Sequence, residues 1–207
     1  MYQSNSKRQC LICHQSIDLA INIYYLYQNP LICLECLSQL EVIEEHSFIN
    51  QYPMTVYYVY NEFFRKLLFQ YKAQYDIALY PIFFMLYQRE INERYDDYMI
   101  VPLVSSQVDD QRRGFSPIET MLQDFHQEKF TGLYKAKDYK QTKQKNRTAI
   151  FDILKIRDGH LLENQKVLII DDVITSGNTI KAVLALIEPF HPQLIEIIVL
   201  SKKIDYE

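Results

Sequence analysis

The chain has 207 residues, of which 48% are hydrophobic and 23% are charged, and its formal net charge is −4. This composition is typical of a globular protein rather than a disordered one, and the length allows one substantial domain and one small one. The acidic balance gives no global reason to expect nucleic-acid binding. Because no long apolar run is present and no apolar stretch follows the charged N-terminus, we expect a cytoplasmic protein without membrane insertion.

The N-terminal segment contains all four cysteines, spaced C-x2-C-x19-C-x2-C: Cys10, Cys13, Cys33 and Cys36. Two such pairs can place four thiolates at the corners of a tetrahedron, so the spacing favours a structural zinc site. A redox pair or an iron–sulfur centre would use the same residues. A segment with few apolar anchors gains folding free energy from a bound metal, and we expect a zinc-binding domain over residues 1–52.

The middle of the chain alternates between helical and extended patterns. Hydrophobic spacing predicts the helices, and runs of β-forming residues predict the strands. The predicted helices are Leu34–Glu45, Glu62–Tyr71, Ile77–Glu93 and Pro117–Gln127. The predicted strands are Met54–Tyr60, Met99–Val104, Phe130–Tyr134 and Ile150–Leu154.

Residues 135–147 form a basic stretch that holds six basic residues and one acidic residue, Asp138. Lysines with interleaved tyrosines can hold the phosphates and the bases of single-stranded nucleic acid. The same stretch could form a lid over a binding site, or a solvated loop without a special role. The candidate nucleic-acid residues are Tyr139, Lys140, Lys143, Lys145 and Arg147.

The C-terminal part of the chain alternates strand and helix, with predicted strands at Lys166–Ile170 and Leu194–Leu200 and a predicted helix at Thr179–Ile187 between them. This alternation predicts an α/β fold in which a parallel sheet is flanked by helices. We expect residues 53–207 to form this domain.

The stretch Val167–Thr179 combines an apolar run, two acids and a polar turn. The apolar run predicts a buried parallel strand, and Asp171 and Asp172 follow at its carboxyl end, where open α/β sheets bind their ligands. The turn Thr175–Thr179 offers hydroxyls and backbone N–H groups at a helix N-terminus, which suits an anion. Because carboxylates accept hydrogen bonds from sugar hydroxyls, the stretch favours a phosphorylated sugar. The alternative is an ordinary buried strand that ends in a turn.

The same stretch resembles the phosphoribosyl pyrophosphate (PRPP) loop of the type I phosphoribosyltransferases over all thirteen positions. Three further segments extend the resemblance: Tyr57–Asp76, Val101–Ser116 and Lys145–Phe151. With the N-terminal cysteines, this order of motifs is similar to the ComF family of late competence proteins. Two departures are Ser116, where that family commonly has Asn, and Tyr75, where it commonly has Gly.

The resemblance implies a type I phosphoribosyltransferase-like fold and a PRPP site. Asp171 and Asp172, the candidate catalytic residues, would hold the ribose hydroxyls. Mg²⁺ would accompany PRPP and bind mostly through water. The 5′-phosphate would lie against Thr175, Ser176, Gly177, Asn178 and Thr179. The candidates for the pyrophosphate are Ser105, Ser106, Arg112 and Arg113, since arginine suits bidentate phosphate contacts.

Three functions stay open. The resemblance implies a ComFC-like competence protein that binds PRPP and supports uptake of single-stranded DNA in natural transformation, with a helicase-like partner. The second function is a working phosphoribosyltransferase, for which no base-recognition pattern names an acceptor. The third is a PRPP-sensing regulator that uses the fold without chemistry.

Overall fold

The computed structural model describes residues 8–17, 30–105, 107–136 and 153–203. In this part of the chain, no helix is long and apolar enough to cross a membrane. The helices are α1 (Leu34–Ser38), α2 (Glu62–Ala73), α3 (Gln88–Arg94), α4 (Gln107–Arg113), α5 (Pro117–Met121) and α6 (Asn178–Ile187), with short 3-10 helices at Ile77–Ile82, Gly159–Leu162 and Glu188–Phe190. The strands are β1 (Val42–Ile49), β2 (Tyr52–Val59), β3 (Tyr98–Pro102), β4 (Leu133–Lys135), β5 (Leu154–Ile156), β6 (Lys166–Ile174) and β7 (Leu194–Lys202).

A five-stranded sheet of order β1-β2-β7-β6-β3 organises these elements. Strands β2, β7, β6 and β3 run parallel, and β1 pairs antiparallel with β2 at one edge. Within β6, the four residues from Val167 to Ile170 are fully buried, which explains their uninterrupted apolar run. The predicted parallel sheet flanked by helices is therefore confirmed, and the carboxyl ends of its four parallel strands meet at one edge.

The two faces of the sheet carry separate buried clusters, because side chains alternate along each strand. Leu168 and Ile170 of β6 belong to the cluster that contains Phe64 of α2. Val167 and Ile169 belong to the other cluster, which contains the buried face of α6. Strand β6 is thus held from both sides, and its carboxyl end has little freedom to move.

The cysteine segment shares the first of these clusters: Cys10, Ile32 and Leu40 are buried in the same group of side chains as α2. The hairpin of β1 and β2 pairs Ile49 with Tyr52, so the five-stranded sheet includes residues that precede position 52. The division of the chain at residue 52 stays a prediction.

Two predicted helices are wrong in part. The helix predicted over Leu34–Glu45 ends at Ser38, and the chain enters β1 at Val42, because β-forming residues there pair with β2 and extend the sheet. The helix predicted over Ile77–Glu93 is a 3-10 helix that contains Pro81, followed by turns and by α3. Proline has no N–H to donate, and this disfavours a continuous α-helix through residue 81.

The predictions between β3 and β6 also shift. Helix α5 ends at Met121 instead of residue 127, and the chain turns so that Phe125 packs edge-on against Phe84, with ring centroids 5.2 Å apart. The strands predicted at Phe130–Tyr134 and Ile150–Leu154 are found slightly later in the chain, as β4 and β5. Residues 150–152 lie outside the described residues. These two strands form a separate antiparallel pair that positions Lys135.

Candidate functional site

The end of β6 and the start of α6 form a tight polar loop. Strand β6 runs through Asp171 and Asp172 to Ile174, and α6 begins at Asn178. Gly177 immediately before the helix has φ 70°, the left-handed conformation that other residues adopt only with strain. The sequence thus places glycine where the backbone must turn most sharply.

The loop presents hydrogen-bond donors around the N-terminus of α6. In the described part of the chain, no side chain caps this end of the helix. The N–H groups of a helix's first turn have no carbonyl partner within the helix, and the helix dipole adds positive charge there. The hydroxyl-bearing residues Thr175 and Ser176 are exposed, and Asp171 and the loop residues line one small open cavity. This arrangement can bind an anion such as a phosphate group.

The two acids are held in place by different contacts. Asp172 is buried, and its backbone carbonyl accepts a hydrogen bond of 3.0 Å from the buried Ser201 hydroxyl of the neighbouring strand β7. The backbone N–H of Asp172 donates to the Asp171 carboxylate at 2.9 Å. The Asp171 carboxylate is therefore oriented by the backbone of β6, and the backbone of Asp172 is anchored to β7.

Lys72 belongs to this site although sequence analysis did not select it. The residue lies in the last turn of α2, and its amine forms an ion pair with the Asp172 carboxylate. The Arg113 Nε donates to the Lys72 carbonyl at 2.8 Å, and Arg113 Nη1 pairs with Asp110 at 2.9 Å. A lysine near the end of an amphipathic helix is an ordinary pattern, and the only available signal was its place inside the segment Tyr57–Asp76 that carries the resemblance.

Burial shifts the pKa values of the groups around Asp171. It raises the pKa of Asp171 to about 6, although Lys72 and Lys135 act in the opposite direction. It lowers the pKa of Lys72 to about 8 against the favourable charge of Asp171, with Arg113 and Lys135 lowering it further. The pKa of Lys135 is also lowered by burial. Two acids and two amines therefore share a poorly solvated site, which strengthens every electrostatic interaction within it.

Three of the four candidate pyrophosphate residues are described, and they occupy different environments. Arg113 is largely buried and contacts α2, whereas the Arg112 side chain is 72% exposed and lies 3.9 Å from Asp109. Ser105 is half-buried and donates a hydrogen bond to the Asp110 carboxyl, whose pKa is raised by burial. Ser106 lies outside the described residues. Of the two arginines, the structure brings Arg113 against α2 beside Lys72 and leaves Arg112 exposed.

The five nucleic-acid candidates all fall in residues 137–152, outside the described residues: Tyr139, Lys140, Lys143, Lys145 and Arg147. The basic stretch is described at its beginning, where Lys135 ends β4. The charge of Lys135 acts on Asp171, so this end of the stretch lies close enough to influence the acids of β6.

The four cysteines form a compact cluster in which all sulfur atoms lie within 4.8 Å of one another. Cys13 Sγ is 3.7 Å from Cys33 Sγ. In each pair the second residue donates its backbone N–H to the first sulfur at 3.5 Å, from Cys13 to Cys10 and from Cys36 to Cys33. Such N–H donors stabilise thiolates, which are the metal-binding form of cysteine. The cluster could hold one metal ion in a tetrahedral sulfur site.

The thiol pKa values within the cluster diverge. For Cys10, burial acts to raise the pKa, but hydrogen bonds from backbone N–H groups outweigh it and lower the pKa to about 7. Burial raises the pKa of Cys36. The lowered pKa of Cys10 favours the thiolate form that binds a metal, and metal binding displaces protons from thiols.

Residues 111–207 are similar to a known family of protein domains. A family model described as the phosphoribosyl transferase domain matches residues 111–207. No curated protein matches the chain.

Solved structures with a similar arrangement include hypoxanthine phosphoribosyltransferases. The enzyme of Trypanosoma cruzi is 12% identical, with 62% of this chain and 69% of that chain covered and a TM-score of 0.40. The enzyme of Staphylococcus aureus is 18% identical, with 62% and 68% covered and a TM-score of 0.37. The allosteric regulatory enzyme of purine biosynthesis is 15% identical, with 58% and 26% covered and a TM-score of 0.41. The family-model match over residues 111–207 and the mixed parallel sheet flanked by helices indicate a phosphoribosyltransferase-type fold.

Proposed function

We propose that this protein binds PRPP together with Mg²⁺ at the carboxyl end of β6. The observation that carries the proposal is the direct succession of two carboxylates at the end of a core strand and a helix N-terminus without a side-chain cap among the described residues, joined by Gly177 in the left-handed conformation. Both parts of this site suit a phosphorylated sugar: the carboxylates can accept hydrogen bonds from its hydroxyls, and the helix N-terminus can bind its phosphate. The phosphoribosyl transferase family model over residues 111–207 supports the same ligand.

The residues divide between the parts of PRPP by their chemistry. Asp171 and Asp172 accept hydrogen bonds from the ribose hydroxyls, and the loop from Thr175 to Thr179 holds the 5′-phosphate. Mg²⁺ would accompany PRPP, bind mostly through water and supply positive charge to the phosphate oxygens. Of the two arginine candidates for the pyrophosphate, Arg113 lies beside Lys72 with its Nε and Nη1 engaged by the Lys72 carbonyl and Asp110, and Arg112 is exposed.

The test is calorimetric titration with PRPP and Mg²⁺. We expect Asp171→Ala and Asp172→Ala to weaken binding by at least about tenfold, which is about 1.4 kcal/mol for the loss of hydrogen bonds to a charged group. Asp124→Ala is the matched control, since Asp124 is an exposed acid far from this motif in the sequence. Wild-type affinity in both site variants would refute the assignment of the acids.

A second candidate function is transfer of the phosphoribosyl group to an acceptor, favoured by the family model itself. Phosphoribosyl transfer builds positive charge on the ribose, and Asp171 and Asp172 would stabilise that charge if they hold the sugar. The test is release of pyrophosphate from PRPP in the presence of candidate acceptors. Binding without release would favour a PRPP-sensing regulator over an enzyme.

For the cysteine cluster we propose a structural zinc ion. The support is the sulfur-only donor set, the close approach of the four sulfur atoms and the backbone N–H donors to Cys10 and Cys33. Four cysteines leave no open coordination position, so this site would stabilise and present a surface rather than catalyse a reaction.

At the cellular level we propose a ComFC-like role in the uptake and processing of single-stranded DNA during natural transformation, in the cytoplasm and with a helicase-like partner. The support is the order of motifs, from the four cysteines to the PRPP-type loop, and the charge of the basic stretch. Affinity capture from competent cells tests the partner. Neutralising Lys140, Lys143 and Lys145 together tests the DNA contact, which would then weaken and lose part of its salt dependence.

A further inference from the structure

The ion pair between Lys72 and Asp172 occupies a carboxylate that the proposed ligand also needs. The two side chains are 29% and 11% exposed, so both charges are largely withdrawn from water. Breaking a pair of this kind without a replacement leaves an uncompensated, poorly solvated charge, and that is costly. Whatever binds Asp172 must therefore either tolerate the Lys72 amine or replace it.

The backbone beneath Lys72 is anchored. The Lys72 carbonyl accepts from Arg113 Nε at 2.8 Å, and the preceding Tyr71 donates its buried hydroxyl to the Pro117 carbonyl at 2.8 Å. Only the four-carbon stem of Lys72 is left to move its amine. The amine can therefore change its partner by rotation of this stem, without movement of the helix backbone.

The charges around the Lys72 amine indicate which kind of ligand could replace this amine as the partner of Asp172. Arg113 is paired with Asp110, and the charges of Lys72 and Lys135 act on Asp171. A ligand carrying several phosphate charges and its own divalent cation supplies a new partner for both sides of the Lys72–Asp172 pair. The cation and the sugar hydroxyls can compensate the carboxylate, and the phosphate oxygens can accept from the freed amine.

We infer that Lys72 is an exchangeable counter-ion: it neutralises Asp172 until PRPP and its divalent cation take the carboxylate, and its amine then binds the phosphate oxygens of the ligand. This inference rests on the proposed PRPP site and adds Lys72 to it as a binding residue. The exchange makes the site selective for a ligand that brings cation and phosphate together, because a cation alone must compete with the amine.

The exchange predicts opposite effects of one substitution on two probes. In Lys72→Met, which keeps the length of the side chain and removes its charge, Mn²⁺ alone should bind about tenfold more tightly, because Asp172 is then uncompensated. PRPP in the presence of Mg²⁺ should bind about tenfold more weakly, because its phosphates lose an ammonium partner. Electron paramagnetic resonance measures free Mn²⁺ in the first titration, and calorimetry measures the second.

Two further variants keep the result interpretable. Lys66→Met is the matched control, since Lys66 lies on the same helix with a 69% exposed side chain paired to Glu62, and it should change neither affinity. Lys72→Arg retains the charge and should keep Mn²⁺ binding close to wild type, which also covers the case in which Lys72→Met fails to fold.

The outcomes separate this inference from the proposed function. If wild-type protein binds PRPP and Lys72→Met shifts both affinities in the same direction or leaves Mn²⁺ binding unchanged, the exchange is wrong and the PRPP site stands. If Lys72→Met does not fold, the test is Mn²⁺ binding by Lys72→Arg. Binding tighter than that of wild type would show that a cation at position 72 does not compete with Mn²⁺ for Asp172, which contradicts the inference. Absence of PRPP binding by wild type would remove the proposed function and the exchange together.

Discussion

In the folded protein, the surroundings of Asp171 disfavour the ionised form of its carboxyl group. Burial raises its pKa to about 6, and the nearby amines of Lys72 and Lys135 only partly offset that effect. In the unfolded chain an aspartate titrates at about 3.9. The folded state therefore binds a proton more readily than the unfolded state, and the free energy of unfolding falls as the pH rises from about 4 through 6.

We predict that Asp171→Asn stabilises the protein at neutral pH while it weakens PRPP binding. Because the neutral amide does not have to be charged in a buried place, the variant should gain roughly 1–3 kcal/mol in free energy of unfolding at pH 7. The gain should shrink toward zero at pH 4.5, where Asp171 is itself largely protonated. Urea unfolding at the two pH values measures this difference, and a variant less stable than wild type at pH 7 would contradict it.

Gly177 provides a second test at the residue scale. Gly177→Ala should lose about 1 kcal/mol of stability, since alanine is strained at φ 70° although the nearest side-chain atom to its Cβ, in Ile49, is 3.4 Å away. Gly177→Asn should lose less, because asparagine tolerates the left-handed region. Gly114→Ala, at φ 84° with no atom of the described residues within 4 Å of the added Cβ, should show a similar loss. Equal stability of Gly177→Ala and wild type in urea unfolding would exclude strain at this turn.

At the scale of elements, the sequence predicts a strand or loop best when a single local requirement determines its conformation. Strand β6 is buried on both faces, so its apolar run could be recognised without the rest of the fold. The loop before α6 was equally readable, because its acids, hydroxyls and glycine are contiguous. The candidate anion-binding loop and the two acids before it could thus be recognised from thirteen residues.

Elements that depend on distant partners were predicted less well. Strand β1 takes its conformation from pairing with β2, and a helical spacing at Leu34–Glu45 concealed it. Pro81 divides a segment that reads as one helix. Lys72 enters the site from α2, about a hundred positions before Asp172, and only the packed structure brings the two together. No local pattern reveals an ion pair of that kind.

At the scale of the whole molecule, the cysteine segment and the α/β sheet share buried side chains. Cys10 and Leu40 lie in the cluster that includes α2, the helix that carries Lys72. A bound metal should therefore stabilise the packing of α2 as well as the cysteine segment. Loss of the metal should then destabilise α2 as well as the cysteine segment.

We predict that Cys13→Ser releases zinc and lowers the melting temperature by roughly 5–10 °C, as a loss of a few kcal/mol would in a chain of this size. Cys13 is exposed, so the substitution removes a ligand without opening a cavity in the core. Gln15→Ala, an exposed neighbour in the same turn, is the control. Zinc content by atomic emission should be about one per chain in wild type and in the control. Full thermal stability of Cys13→Ser would show that the cluster does not support the fold.

The central claim is that the carboxyl end of β6 binds PRPP, and a crystal structure of the protein with PRPP and Mg²⁺ tests it most directly. We expect the 5′-phosphate against Thr175–Thr179 and the ribose hydroxyls on Asp171 and Asp172. We also expect the Lys72 amine to have turned from Asp172 to a phosphate oxygen. Electron density for PRPP at another place, with the loop of α6 unchanged, would contradict the claim.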